Sequence, residues 1–251
     1  TSLGKKAAKN LINASDVLIE GFRPGVMEKL QLGPDDFKIS NPRLIYSRMT
    51  GWGQSGPLSG MAGHDINYLS ITGALHAIGP KEGPPVPPLN LAADYGGGSM
   101  FLIFGILSAL YERVNSGLGQ VIDVAMVDGV ASMMSVFHSA YARGDFSEKR
   151  ASNMLDGGAP FYRCYETSDG KYLSVGPIES KFFGEFIKLA NLPKDLYDKQ
   201  YSKELWQSQH KLLEKEFRKR TLSEWSEIFK NSDSCVMPII PISEVGLNEH
   251  N

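Results

Sequence analysis

Two residues stand where chemistry could be done. Asp94 ends the apolar run LNLAAD and is followed at once by three glycines and a long apolar segment. His64 ends the glycine-rich loop GWGQSGPLSGMAG and opens HDINYLS. Each sits where irregular or strand-like chain meets a helix start. A carboxylate in that place can cap the helix by accepting a free backbone N–H. It can equally face a ligand in the crevice beyond a strand end, with glycines letting the ligand approach. An imidazole at a helix start can pack or cap. It can also act as a base beside backbone N–H groups that would stabilise an enolate oxygen. Spacing alone leaves both readings of both residues open.

The neighbouring Asp65 reads as a first-turn partner of the helix dipole. Glu179, in VGPIESKFF, lies between a strand and a helix and reads first as a helix-start residue. His76 and His138 fall on apolar helical faces, whereas His210 and His250 fall in polar segments expected to be exposed. There is no HExxH, CxxC, GK[ST] or GxSxG pattern, and the GGG at 96–98, followed by SMF, lacks GxGxxG spacing, so zinc and hydrolase readings find no support and dinucleotide and P-loop readings are weak. Cys164 and Cys235 are far apart in sequence and read as plain buried thiols in a reducing compartment. Met49, Met100, Met126, Met133, Met134 and Met154 read as core fillers, or as a pliable wall for an acyl chain.

The elements that must hold these residues follow a strand–helix–strand order. Residues 3–14 have helical spacing, and Val17–Ile19 reads as a short buried strand. Two short helices broken by Gly33-Pro34 and Pro42 follow, and Leu44–Met49 is a second strand. After the glycine-rich loop come a helix from His64, a proline-rich loop over 80–90 and a buried helix over 96–114. A strand at 120–124 and a Met- and Ala-rich helix over 126–141 complete the first part. Residues 143–158 are polar and irregular and read as a linker. Beyond it, Phe161–Glu166 and Tyr172–Val175 flank the turn Thr167-Ser168-Asp169-Gly170 as a hairpin. Helices at about 180–191, 203–218 and 221–230 follow, the last opened by a capping box from Thr221 to Glu224. The fold expected is α/β: a larger Rossmann-like portion over 1–142 and a smaller α+β domain over 159–251.

Composition is that of an ordinary globular protein. The chain has 251 residues, is 42% hydrophobic and 22% charged, and carries a net charge of −2. With a mean hydropathy of −0.20 and a pI near 6.2, nothing in bulk charge argues for nucleic acid or an anionic membrane. The most apolar run, Gly96 to Tyr111, is shorter than the ~20 residues a membrane span needs, and no signal peptide is visible. The chain opens on a helix without an initiator Met and ends on LNEHN, which reads as an internal piece of a longer protein.

Four stretches in order, GHDINYLSITGALHAIG, PPLNLAADYGGGSM, GQVIDVAMVDG and NMLDGGAPFY, resemble the α-methylacyl-CoA racemases of the family III CoA-transferase (CaiB/BaiF-type) superfamily. The resemblance spans essentially the whole chain, and family members extend beyond it at both ends, so the Rossmann-like portion is expected to be incomplete at its N-terminus. It implies that His64 and Asp94 are a proton-shuttling pair and that Glu179 of a second subunit contacts the histidine. It further implies that Gly63, His64, Asp65, Ile66, Asn67 and Tyr68 line the coenzyme A thioester site, and that Arg23 faces the coenzyme A phosphates. The partners implied are an acyl-CoA thioester and a second copy in an interlocked homodimer. No metal or separate cofactor is implied, coenzyme A being part of the substrate. The compartment implied is the cytoplasm for a bacterial chain, or the peroxisome or mitochondrion for a eukaryotic one. The same fold admits a CoA-transferase with Asp94 as a nucleophile that forms an acyl anhydride, or an inert acyl-CoA-binding fragment.

Overall fold

A computed structural model describes all 251 residues. They form two compact units, one of residues 1–78 with 85–146 and one of residues 79–84 with 147–251. The short loop 79–84 therefore goes with the second unit rather than the first, and residues 143–146 go with the first rather than with a linker.

The first unit is built on a parallel three-stranded sheet. Its elements are α1 (Ser2–Asn13), β1 (Val17–Glu20), α2 (Val26–Lys29), β2 (Ile45–Thr50), α3 (Asp65–Ser70) and α4 (Ala74–Ala77). A π-helical stretch, Leu91–Ser99, then runs directly into α5 (Met100–Ser116). It is followed by β3 (Val121–Ala125), α6 (Met126–Met133) and α7 (Ser135–Ala142). The sheet order is β1-β2-β3, with Val17 opposite Ile45 and Tyr46 opposite Val121. Central β2 is buried on both faces, as a middle strand of a parallel sheet should be. One of its residues is Arg48, and a buried cation must be paired. Its Nε donates to Glu20 at 2.7 Å, and its two terminal nitrogens donate to Glu28 at 2.8 and 3.2 Å. The hydrogen bonds from Arg48 hold the Glu28 carboxyl below its ordinary range.

The second unit is an antiparallel sheet covered by helices. Its elements are β4 (Arg163–Glu166), β5 (Tyr172–Val175), α8 (Ser180–Leu189), α9 (Trp206–Phe217), α10 (Leu222–Phe229), β6 (Val236–Pro238) and α11 (Ile242–Val245), with sheet order β4-β5-β6. The hairpin turn closes through Gly170, whose φ of 72° suits a residue without a Cβ. Asp169 ties that turn to the next layer by accepting from the Thr167 hydroxyl and from the Leu222 N–H. One continuous core unites the sheet and its helices, with Phe161, Tyr165, Phe186, Phe217 and Trp225 at 0–1% exposure.

Several expectations need correction. Both cysteines are exposed, and they line a cleft of 570 Å³ within the second unit instead of being buried. His210 is half-buried, because Arg163 reaches it and donates to its Nδ1 at 2.8 Å. The helix expected over 126–141 breaks at Met134 into α6 and α7. Met100 and Met133 are exposed and fill no core. The helix expected to be buried over 96–114 starts earlier and shows one apolar face to solvent. Met100, Phe104, Leu107, Tyr111 and Val114 are each 61–80% exposed. From Leu91 to Ser116 the helix has 26 residues, long and apolar enough to cross a membrane by length and composition. It is nonetheless anchored by buried glycines against α6, and its length does not make it a span.

Candidate active site

In α/β folds ligands collect beyond the carboxyl ends of the parallel strands, and the loops leaving β1 and β2 carry Arg23 and His64. Loop 21–25 leaves β1 and holds Arg23, which is exposed. Glu20 shapes this loop, since one carboxylate oxygen accepts the Phe22 N–H at 2.8 Å and the other accepts from Arg48. The buried Arg48 pairing therefore fixes the path on which Arg23 is displayed. A charged residue inside the strand segment LIYSRM was the sequence signal for such a network.

The loop after β2 leads to His64. Gly51 and Gly63 are required there because Tyr68 packs against both. A Cβ on Gly51 would lie 2.1 Å from the Tyr68 ring, and one on Gly63 would lie 2.8 Å from it. The Tyr68 hydroxyl donates to the Gly63 carbonyl, and Trp52 meets the Tyr68 ring edge-on at 4.8 Å. Burial pushes the Tyr68 phenol upward, and the charges of Asp94 and Asp65 push it further. With the loop pinned, His64 takes the N-cap position of α3 in an extended conformation and its side chain is exposed. Asn67, three residues on, accepts the His64 N–H at 3.0 Å. Of GHDINY, then, His64, Ile66 and Asn67 are exposed, whereas Asp65 and Tyr68 turn inward. Asp65 is 5% exposed.

Asp94 is not the N-cap that its position suggested. It lies within the π-helical stretch, whose N-cap is Asn90. π-Helical turns are uncommon and concentrate at functional sites. Its carboxylate is half-buried and accepts from the Asn90 side chain at 3.3 Å. Its main chain is held at both ends. The Asp94 N–H donates to Asp65 Oδ2 at 2.9 Å, and the Asp94 carbonyl accepts from the Ser99 hydroxyl at 3.1 Å. The glycines after it allow close packing. A Cβ on Gly129 of α6 would lie 2.0 Å from the Gly97 carbonyl oxygen, so the two backbones touch there. The structure thus brings His64 and Asp94 into one neighbourhood, because the residue next to His64 grips the backbone of Asp94.

Glu179 stands in the second unit, at the N-cap position of α8, without capping it through its side chain. Its carboxylate is exposed, and its charge, after burial, helps raise the Cys235 thiol. No group of three or more His, Cys, Asp or Glu side chains stands together as a metal site would need.

This arrangement defines an α/β protein in which an imidazole and a carboxylate are held near each other beside a parallel sheet. The chain belongs to the CoA-transferase family III, whose model matches residues 1–251. It is 44% identical over 250 residues to the α-methylacyl-CoA racemase of Mus musculus, covering 100% of this chain and 66% of that protein. It is also 44% identical over 248 residues to the α-methylacyl-CoA racemase of Homo sapiens, covering 99% of this chain and 65% of that protein. The chain thus spans slightly less than two thirds of the length of these relatives. In fold it is similar to a CaiB/BaiF family protein from Brucella suis, with a TM-score of 0.79 at 24% identity over 100% of this chain and 67% of that one.

Proposed function

We propose that this protein interconverts the two enantiomers of a 2-methylacyl-CoA thioester by moving the α-proton through an enolate. The observation that carries the reading is the tie from Asp65 to Asp94, which sets an imidazole and a carboxylate on neighbouring helix starts. Racemisation at an α-carbon needs one group to remove a proton and another, on the opposite face, to return it. One member of the pair must be protonated while the other is not. His64 and Asp94 take these roles. Backbone N–H groups in the turn after His64 would meet the enolate oxygen. Arg23, exposed on its braced loop, would pair with phosphate groups of coenzyme A. Glu179, from a second subunit of a homodimer, would orient His64 and favour its charged form. The larger unit would be a Rossmann-like portion, and coenzyme A would enter only as part of the substrate. The likeness to racemases of mouse and man supports the reading. The compartment follows the source: cytoplasm in a bacterium, peroxisome or mitochondrion in a eukaryote.

The competing activity on this fold is CoA transfer, with Asp94 as nucleophile. It has no use for a second proton carrier such as His64, and this favours the racemase. The test is to incubate each pure enantiomer of a 2-methylacyl-CoA with the protein in deuterium oxide. The expected result is deuterium at C2 and loss of optical purity from either enantiomer. Absence of C2 deuterium, with coenzyme A passing instead to an added free acid, would overturn the reading.

A further inference from the structure

We infer that Asp65 is a positioning residue for Asp94: its buried carboxylate fixes the backbone at Ala93 and Asp94 and so sets the span between the two proton carriers. A first-turn acid whose task is to complement a helix dipole sits at the surface, but Asp65 is 5% exposed. Its Oδ2 accepts two N–H groups from chain about thirty residues away, Ala93 at 2.8 Å and Asp94 at 2.9 Å. A helix start leaves its opening N–H groups without partners, and the local N-cap, Asn90, makes no side-chain capping bond. Asp65 therefore caps the π-helical stretch from across the fold.

Two features separate this from ordinary structural capping. Asp65 adjoins His64, so a single peptide link of ~3.8 Å between α-carbons joins the base to the group that grips its partner. The held residue is Asp94 itself, whose carbonyl is secured in turn by Ser99. The other oxygen, Oδ1, is buried and meets no donor of the chain, so within the protein the carboxylate is held by the two N–H groups alone.

The inference rests on the proton-transfer reading, and the experiment keeps the two apart. Asp65→Ala and Asp65→Asn are compared with the parent protein. Backbone amide exchange is followed in peptides covering residues 91–99, and C2 deuterium uptake is followed from each enantiomer separately. Asp65→Ala is expected to lose amide protection at Ala93 and Asp94 and to lower kcat on the order of 10²-fold, as small misplacements of a reacting group do, with KM little changed. C2 exchange should fall for the enantiomer served by Asp94 and persist for the one served by His64. Asp65→Asn keeps an acceptor oxygen and should recover to within about tenfold of the parent, an order above the alanine variant. Unchanged protection at 91–99 would overturn the inference, as would equal loss for both enantiomers, or an asparagine variant no better than alanine. If the parent itself moves no C2 proton, the racemase reading fails, and the amide measurement alone decides whether Asp65 fixes Asp94.

Discussion

The two units use their residues in opposite ways. The second unit closes on itself. Its core joins all three strands to α8, α9 and α10 through stacked and edge-on rings, with Phe186 against Phe217 at 6.2 Å and Trp225 against Phe229 at 5.6 Å. The first unit has two small separate clusters, one around Phe37 and Tyr46 and one around Leu69 and Val130. What it has in addition is specific and polar: the Arg48 pair of carboxylates, the Asp65 clasp and backbone contacts through glycine. Apolar area stabilises a domain without direction, whereas a hydrogen bond or a backbone contact sets position. The unit that carries His64 and Asp94 spends its interactions on placement, and the unit with the denser core on stability.

The comparison would break first in the aromatic core. Phe186 is fully buried and touches Phe183, Phe217 and Phe229. Phe186→Ala is expected to destabilise the second unit by about 3–5 kcal/mol, the range for a large buried ring cut back to a methyl. Chemical denaturation followed by Trp fluorescence measures it, since Trp206 and Trp225 both lie in that core. A loss below about 1 kcal/mol would show a core far looser than described.

Placement in the first unit is tested by Gly129→Ala. The new methyl cannot fit 2.0 Å from the Gly97 carbonyl, so α6 and the π-helical stretch must separate. The expected cost is about 1–3 kcal/mol of stability. With Asp94 displaced, turnover should fall on the order of 10²-fold. Stability lost without turnover would mean that the glycine contact does not set the position of Asp94.

A smaller effect concerns pH in the second unit. Burial, assisted by the Arg163 charge, pulls the His210 imidazole down to about 4. Folded protein thus binds fewer protons there than unfolded protein, where histidine titrates near its usual ~6.5. The stabilising contribution is complete above that usual value and is lost as pH falls from about 6.5 toward 4. For a half-buried group it should amount to roughly 1–2 kcal/mol across the window. His210→Gln, which can still accept from Arg163, should flatten the slope of melting temperature against pH between 6.5 and 4. An unchanged slope would remove His210 as its source.

What the sequence made legible follows the range of the interactions involved. The hairpin and the Thr221 to Glu224 capping box were readable because each is made by residues a few positions apart. The parallel strands were readable as apolar runs bounded by breakers. His64 at a helix start was also local, and the structure places it at an N-cap. For Asp94 spacing left capping and ligand-facing readings open, because the residue that holds its backbone, Asp65, is distant in sequence. The triple glycine suggested room for a ligand, and only the fold brings Gly129 of another helix against Gly97. His210 looked exposed from its polar neighbours, and only the fold brings Arg163 to it. Long-range polar contacts leave no periodic trace, so the features that place the site were the ones spacing could not show.

The smallest expected effect sharpens the comparison at its most exposed point. Met100, Phe104, Leu107, Tyr111 and Val114 recur at helical spacing along α5, which ordinarily marks a face packed on a core. Here the stripe faces outward, with Phe104 at 74% exposure. Removing a side chain that touches water changes stability little, so Phe104→Ser should shift the unfolding free energy by no more than about 0.5 kcal/mol in dilute protein. Isolated surface apolar residues are common, but a contiguous stripe of this kind is the sort of surface that proteins cover by association. The measurement is therefore repeated over a hundredfold range of concentration. If copies of the chain cover the stripe, the melting temperature of the parent rises with concentration and that of Phe104→Ser rises less. A loss of about 2 kcal/mol or more that is independent of concentration would mean that Phe104 is packed within the chain itself. The contrast between a closed second unit and an open first unit would then be wrong at the place where it is most plainly drawn.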